Sequence, residues 1–235
     1  MAQHLVREIE KLKKQVLSLA AHVEENVRDA VRSVAERDQA LACKVIENDH
    51  QIDMAEVDVE EECLKILALY QPVAHDLRYI VAILKINRDL ERIGDLAVSI
   101  AERSIQMIAK PRPQTTFNLA AMAAMSDAMV ARSLDAMINR DANLARTLWL
   151  SEDDRIDKMM AEAFDLVEKE IRERPENTEP LMNVLSVARS LERIADHATN
   201  IAKDTIYMVE GDIVRHRKRK YREQMAASQN PPPAQ

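Results

Sequence analysis

The six residues LERIGD at positions 90–95 return as LERIAD at positions 191–196, and two other segments return with them in the same chain order. Arg37-Asp38 is matched by Arg140-Asp141, and Asp49-His50-Gln51-Ile52-Asp53 by Asp153-Asp154-Arg155-Ile156-Asp157. The offsets are 101, 103 and 104 residues respectively, differences that insertions of a few residues explain. Self-similarity at a fixed period marks a duplicated structural unit. A 235-residue chain with this repeat must build one small unit twice and pack the copies together.

The unit is helical. Only two glycines occur in the whole chain, and glycine supplies the tight turns that β-hairpins need. Alanine, leucine, glutamate, arginine and methionine dominate instead, all good helix formers. Apolar residues recur at spacings of three and four. In the first helix, predicted over residues 6–37, they are Ile9, Leu12, Val16, Leu19, Val23, Val27, Val31 and Val34. Asp38 is placed to cap a second helix, which ends near Gln71 because Pro72 disfavours a helical residue before it. A third helix is predicted from near Asp76 to about Ile108, and Pro111 and Pro113 then break the chain ahead of a polar linker at 114–116. The plan repeats with helices over residues 117–139, 141–174 and 178–214. Helices of 25 to 35 residues span roughly 40 to 50 Å. Short connections favour antiparallel neighbours. The expectation is an all-α protein of two tandem three-helix bundles, residues 1–112 and 113–214, followed by a tail at 215–235.

Several function classes drop out. A hydrophobic share of 47% with 31% charged residues is a globular balance, not a disordered one. No run reaches the roughly 18 apolar residues of a spanning helix, and no signal peptide is evident, so the sequence reads as cytoplasmic. Cys43 and Cys63 lack metal-ligand spacing and read as thiols of a reducing compartment. No glycine-rich phosphate loop and no nucleophile motif is present. Met122, Met125, Met129 and Met137 read as core filler. A net charge of −7 argues against nucleic acid as a partner. The basic run RHRKRKYR at 215–222 stands apart, and reads as a solvated helix end or a contact for acidic headgroups or an acidic partner. The residues that end the chain read as disordered.

The chemistry-bearing residues are acids. Glu91 with Asp95, and Glu192 with Asp196, are spaced four apart, which stacks each pair one turn apart on one helix face. Asp49 with Asp53, and Asp153 with Asp157, repeat that spacing on the preceding helices. Each half thus offers two acidic pairs on neighbouring helices. Oxygen-rich clusters of this kind suit magnesium, manganese or iron, and di-metal bundles draw carboxylates from facing helices. The other reading is a solvated acidic face balanced by Arg88, Arg92, Arg189 and Arg193. The residues alone leave both open.

Residues 71–102, QPVAHDLRYIVAILKINRDLERIGDLAVSIAE, and residues 188–211, ARSLERIADHATNIAKDTIYMVEG, resemble the two signatures of the PhoU family of phosphate-transport regulators. The resemblance extends over about residues 3–212 and leaves the basic tail outside. It implies two three-helix bundles related by a pseudo-twofold, and multinuclear iron or zinc clusters held by acidic pairs. Glu91, Asp95, Glu192 and Asp196 match that pattern best, with Asp49, Asp53, Asp153 and Asp157 as complements. Lys203 stands where glutamate is frequent in the family, whereas the first half keeps Glu102. Ser99 stands where asparagine is usual, and Asn200 keeps it. These departures set the two sites apart in expected metal occupancy.

The resemblance further implies a negative regulator of the phosphate-starvation response. Such a protein, expected to be a homodimer, would link the ATPase subunit of a high-affinity phosphate ABC transporter to a sensor histidine kinase. It would sit peripheral to the membrane through those partners and would not be an enzyme. The competing expectation is a metal-dependent helical enzyme, either a phosphoester hydrolase or a di-metal oxygen catalyst.

Overall fold

A computed structural model describes residues 2–112, 115–215, 217–219, 221 and 223; the remaining tail positions and Pro113 and Gln114 of the linker lie outside the described residues. The first half is three long helices, α1 (Ala2–Glu36), α2 (Gln39–Tyr70) and α3 (Ala74–Ile108). The second half runs through α4 (Leu119–Asn139), α5 (Ala142–Thr147), α6 (Asp153–Glu173) and α7 (Thr178–Glu210). No strand occurs among the described residues.

Local chemistry sets the boundaries. Asp38 accepts a hydrogen bond from the Leu41 amide at 3.0 Å, and its repeat partner Asp141 accepts from the amides of Asn143 and Leu144 at 2.9 and 3.0 Å. Both satisfy amides that the first turn of a helix leaves unpaired. Arg37 turns the chain in the left-handed region at φ 56°, as does Arg140 at φ 51°. Beyond that the copies diverge. The Arg37 guanidinium donates to the carbonyls of Met107, Ile108 and Lys110 at 2.7, 2.9 and 2.5 Å, closing the C-terminal end of α3 with a cation. Arg140 lies instead over the Tyr79 ring, 5.2 Å from its centroid, and so ties the second half to the first.

Two expected boundaries shift. The helix expected over 141–174 is split by a π-helical turn at Leu148–Glu152, which lies directly before Asp153. The helix expected to reach residue 214 ends at Glu210, where Gly211 takes φ 77° and a Cβ would meet Arg78 Nη1 at 2.6 Å. Only glycine takes that conformation and that approach without strain.

The core is continuous through both halves. It contains Leu12, Leu19 and Val27 of α1, Ile52 and Ile66 of α2, and Ile83, Ile86, Leu90, Ile93 and Ile100 of α3. Met122 and Met129 of α4, Ile156 of α6, and Leu191, Ile194 and Ile201 of α7 complete it. Of the methionines read as core filler, Met122, Met129 and Met137 are buried and Met125 packs partly buried against them. Cys63 is fully buried and free, and burial pushes its thiol up to about 12, so it is inert. The halves meet chiefly along α3 and α7, the two helices that carry the LERIGD and LERIAD motifs, with α1 packing on α4 beside them.

Candidate functional site

In the first half, α2 brings Asp49 and Asp53 to the α3 face that holds Glu91 and Asp95. Gly94 makes the approach possible: a Cβ there would lie 3.3 Å from Asp49 Oδ1 and 3.2 Å from Ile52 Cγ2, tighter than an unstrained contact. Asp49 Oδ1 is buried and has no hydrogen-bond partner. Desolvation, then the charges of Asp53, Asp95 and Glu91, push this carboxyl up to about 6. Glu91 is raised as well, by desolvation and by Asp95, although Arg92 opposes the shift. Arg92 bonds Glu91 at 3.3 Å and Asp95 at 2.7 Å and is the chief internal counter-charge. Four carboxylates converging on one orphaned oxygen are under-neutralised. A hard or borderline cation is the species whose charge would satisfy them, although the acids whose oxygens gather within 4.8 Å of one another lie in the second half.

Sequence reasoning missed Glu56. It lies one helical turn from Asp53, and its carboxyl is raised by desolvation and by Glu60 and Asp53. Asn87 of α3 holds it, donating to both its side chain and its carbonyl at 3.1 and 2.9 Å. The acid at spacing three from Asp53 was the available signal. Glu102 is exposed.

In the second half the π-helical turn delivers Asp153 and Asp157 on α6 to Glu192 and Asp196 on α7. Asp153, Asp154 and Asp157 each offer an oxygen within 4.8 Å of the others. Desolvation raises Asp196, whose side chain nonetheless reaches the surface, and Asp153 and Asp157 add to it. Glu192 is raised in the same way beside Asp196 and Asp157. The difference from the first half is in the cations. Lys218 Nζ lies 2.5 Å from Asp153 Oδ2 and 2.8 Å from Asp154 Oδ1. Thr199 donates to Asp153 Oδ1 at 3.2 Å. Lys203, lowered by desolvation, is held against Asn200 at 3.0 Å with Asp153 and Asp196 close by. Two ammonium groups therefore neutralise this cluster from within, and an ion would have to compete with them for oxygens that already lie close enough to share it.

Lys218 comes from the tail, contrary to the expectation of a free basic end. Tyr221 packs edge-on against Trp149 of the π-helical turn, ring centroids 5.4 Å apart, and its hydroxyl bonds Asp212. Arg146 lies 6.0 Å from the same ring. The run extends neither α7 nor its charge into solvent at these positions; it folds back onto the second acidic cluster. His197, four residues before Ile201, belongs to neither cluster, since its Nδ1 lies 2.7 Å from Asp89 Oδ1 across the α3–α7 boundary.

No helix among the described residues is long and apolar enough to cross a membrane. A family model, the PhoU domain, matches the chain twice, at residues 16–104 and 119–205. The phosphate-specific transport system accessory protein PhoU homolog of Pseudomonas aeruginosa is 37% identical over 217 residues, covering 92% of this chain and 89% of that one. The Aquifex aeolicus homolog of the same name is 39% identical, covering 90% and 96%. Two crystal structures share the fold. PhoU from Pseudomonas aeruginosa superposes at TM-score 0.85 with 37% identity, covering 88% of this chain and 99% of that one. The phosphate transport system regulatory protein PhoU from Streptococcus pneumoniae does so at 0.80 with 28% identity, covering 89% and 99%. With both bundles matched and the relatives aligned nearly end to end, the chain belongs to the PhoU domain family and carries that domain twice.

Proposed function

We propose that this protein is an accessory protein of a phosphate transport system and acts there as a negative regulator. It keeps a sensor histidine kinase off while phosphate is plentiful, contacting the ATPase subunit of a phosphate ABC transporter and working as a homodimer in the cytoplasm. The observation that carries this reading is the match of both bundles, over about nine-tenths of the chain, to relatives named phosphate-specific transport system accessory proteins. That name also favours a binding role over catalysis.

Within that role the first cluster is the metal centre, held by Asp49, Asp53, Glu91 and Asp95. The orphaned Asp49 oxygen supports this assignment. The ion, whether iron, zinc, magnesium or manganese, would supply charge compensation that fixes α2 against α3. Asp153, Asp157, Glu192 and Asp196 form the second centre, where the ion competes with Lys218.

Deleting the gene tests the regulatory reading. Phosphate-scavenging genes should switch on in phosphate-rich medium, and unchanged expression would refute it. Elemental analysis of protein purified without chelator tests the metal. Wild type should carry it, and Glu91→Ala with Asp95→Ala should lose most of it.

A further inference from the structure

Between α3 and α7, where the halves meet, lies an open cleft of about 480 Å³. Six of its lining residues are cations: Lys85, Arg88, Arg92, Arg193, Lys203 and Arg215. Only Asp89 and Asp204 oppose them, in a chain whose net charge is −7. The duplication explains part of this concentration, because Arg92 and Arg193 are the arginines of LERIGD and LERIAD, brought from opposite halves to one cleft.

We propose that this cleft is a binding site for a phosphate-type oxyanion with more than one phosphoryl group. Two of the six cations are already paired, Lys85 with Asp204 and Arg92 with Glu91 and Asp95, and both lining acids have partners of their own. Asp204 is bonded by Lys85 at 3.0 Å, and Asp89 by His197 at 2.7 Å and Asn200 at 3.4 Å. Arg88, Arg193 and Arg215, by contrast, make no salt bridge among the described residues, and all three are exposed. They come from three segments, α3, α7 and the turn after α7, and so approach the cleft from different sides. A carboxylate is satisfied by one guanidinium fork, whereas a tetrahedral oxyanion uses several. Concave walls focus the field of clustered charge and raise the local anion concentration. At about 480 Å³ the cleft has more room than one orthophosphate needs. Arg92 also bonds the first acidic cluster, so an anion drawn to its other side shares a residue with that cluster.

The test is calorimetric titration of the full chain in chelator, so that the outcome does not depend on any metal or on the regulatory role. Pyrophosphate, orthophosphate and citrate are the probes. Pyrophosphate should bind one-to-one and tighter than orthophosphate, with citrate weaker than both. Arg88→Ala with Arg193→Ala should weaken pyrophosphate by about tenfold or more, because each removes a charge-assisted hydrogen bond. Both residues are exposed, so folding should survive; Arg88→Gln with Arg215→Gln repeats the test from a second pair. No heat with pyrophosphate at millimolar concentration, affinity unchanged in both folded double variants, or citrate binding as tightly as pyrophosphate would each overturn the proposal.

Discussion

Replacing Asp49 with asparagine should stabilise the metal-free protein, an unusual outcome for a substitution in a partly buried site. The carboxyl is pushed up to about 6 from its ordinary 3.8 by desolvation and by Asp53, Asp95 and Glu91. At 1.36 kcal/mol per unit, holding it ionised at neutral pH costs at most about 3 kcal/mol. Asp49 is only half-buried, so solvent screening reduces that to about 1–1.5 kcal/mol. The sign follows from linkage. An acid whose folded value is raised contributes stability that is complete below about pH 4 and lost as pH rises through about 6. Urea unfolding followed by circular dichroism, in chelator, should therefore show Asp49→Asn more stable by about 1–1.5 kcal/mol at pH 7.5. At pH 4.5, where folded Asp49 is protonated but the unfolded carboxyl is still largely ionised, the advantage should fall to about a third. Added manganese or zinc should reverse the order by stabilising wild type alone. A variant no more stable than wild type in chelator at pH 7.5 would refute the reasoning, because the four acids would then be adequately neutralised without a cation.

Three other perturbations probe the same architecture. Gly94→Ala places a methyl 3.2–3.3 Å from Ile52 and Asp49, and should cost about 1–3 kcal/mol in urea unfolding while weakening metal uptake in the first half. Arg37→Ala leaves three carbonyls at the end of α3 without their donor and should destabilise by about 1–3 kcal/mol; thermal melting reads it directly. Lys218→Ala removes the ammonium from Asp153 and Asp154, so a manganese titration should show an added or tighter site. Trp149, the single tryptophan, sits against Tyr221 and should report release of the tail by a change in emission; a titration identical to wild type would show that Lys218 does not compete.

The fold was legible because its signals were local or repeated. Asp38 and Asp141 cap the helices they precede, Pro72 ends α2 with Gln71 in the left-handed region, and the spacing of Leu12, Leu19 and Val27 became the buried face of α1. The acid quartets were legible for the same reason, since spacing four places two side chains on one face whatever the neighbours do. What was not legible depended on which residue crosses to which element. No local pattern distinguishes Arg92, which does balance acids of LERIGD, from Arg193, which makes no salt bridge among the described residues. The break of the fifth helix into a π-helical turn inserts no proline or glycine; it falls where Trp149 and Leu150 are buried and Glu152 pairs with Arg132, contacts that no local pattern announces.

Duplication gave both halves the same acids, and divergence has acted mainly on the cations around them. In the first copy Gly94 lets Asp49 press against α3, where its buried oxygen has no partner and Arg92 is the near counter-charge. The second copy has Ala195 at the matching position, Lys203 in place of an acid corresponding to Glu102, and Lys218 brought back by a tail that lies outside the repeat. A carboxylate cluster bound by its own lysines carries less uncompensated charge than one with a single arginine beside it. On the proposed metal reading, stability should respond to an ion in the first copy without displacement of any lysine. In the second, an ion should bind only where the Lys218 ammonium gives way, so one duplicated motif is set in two different electrostatic surroundings beside the α3–α7 boundary.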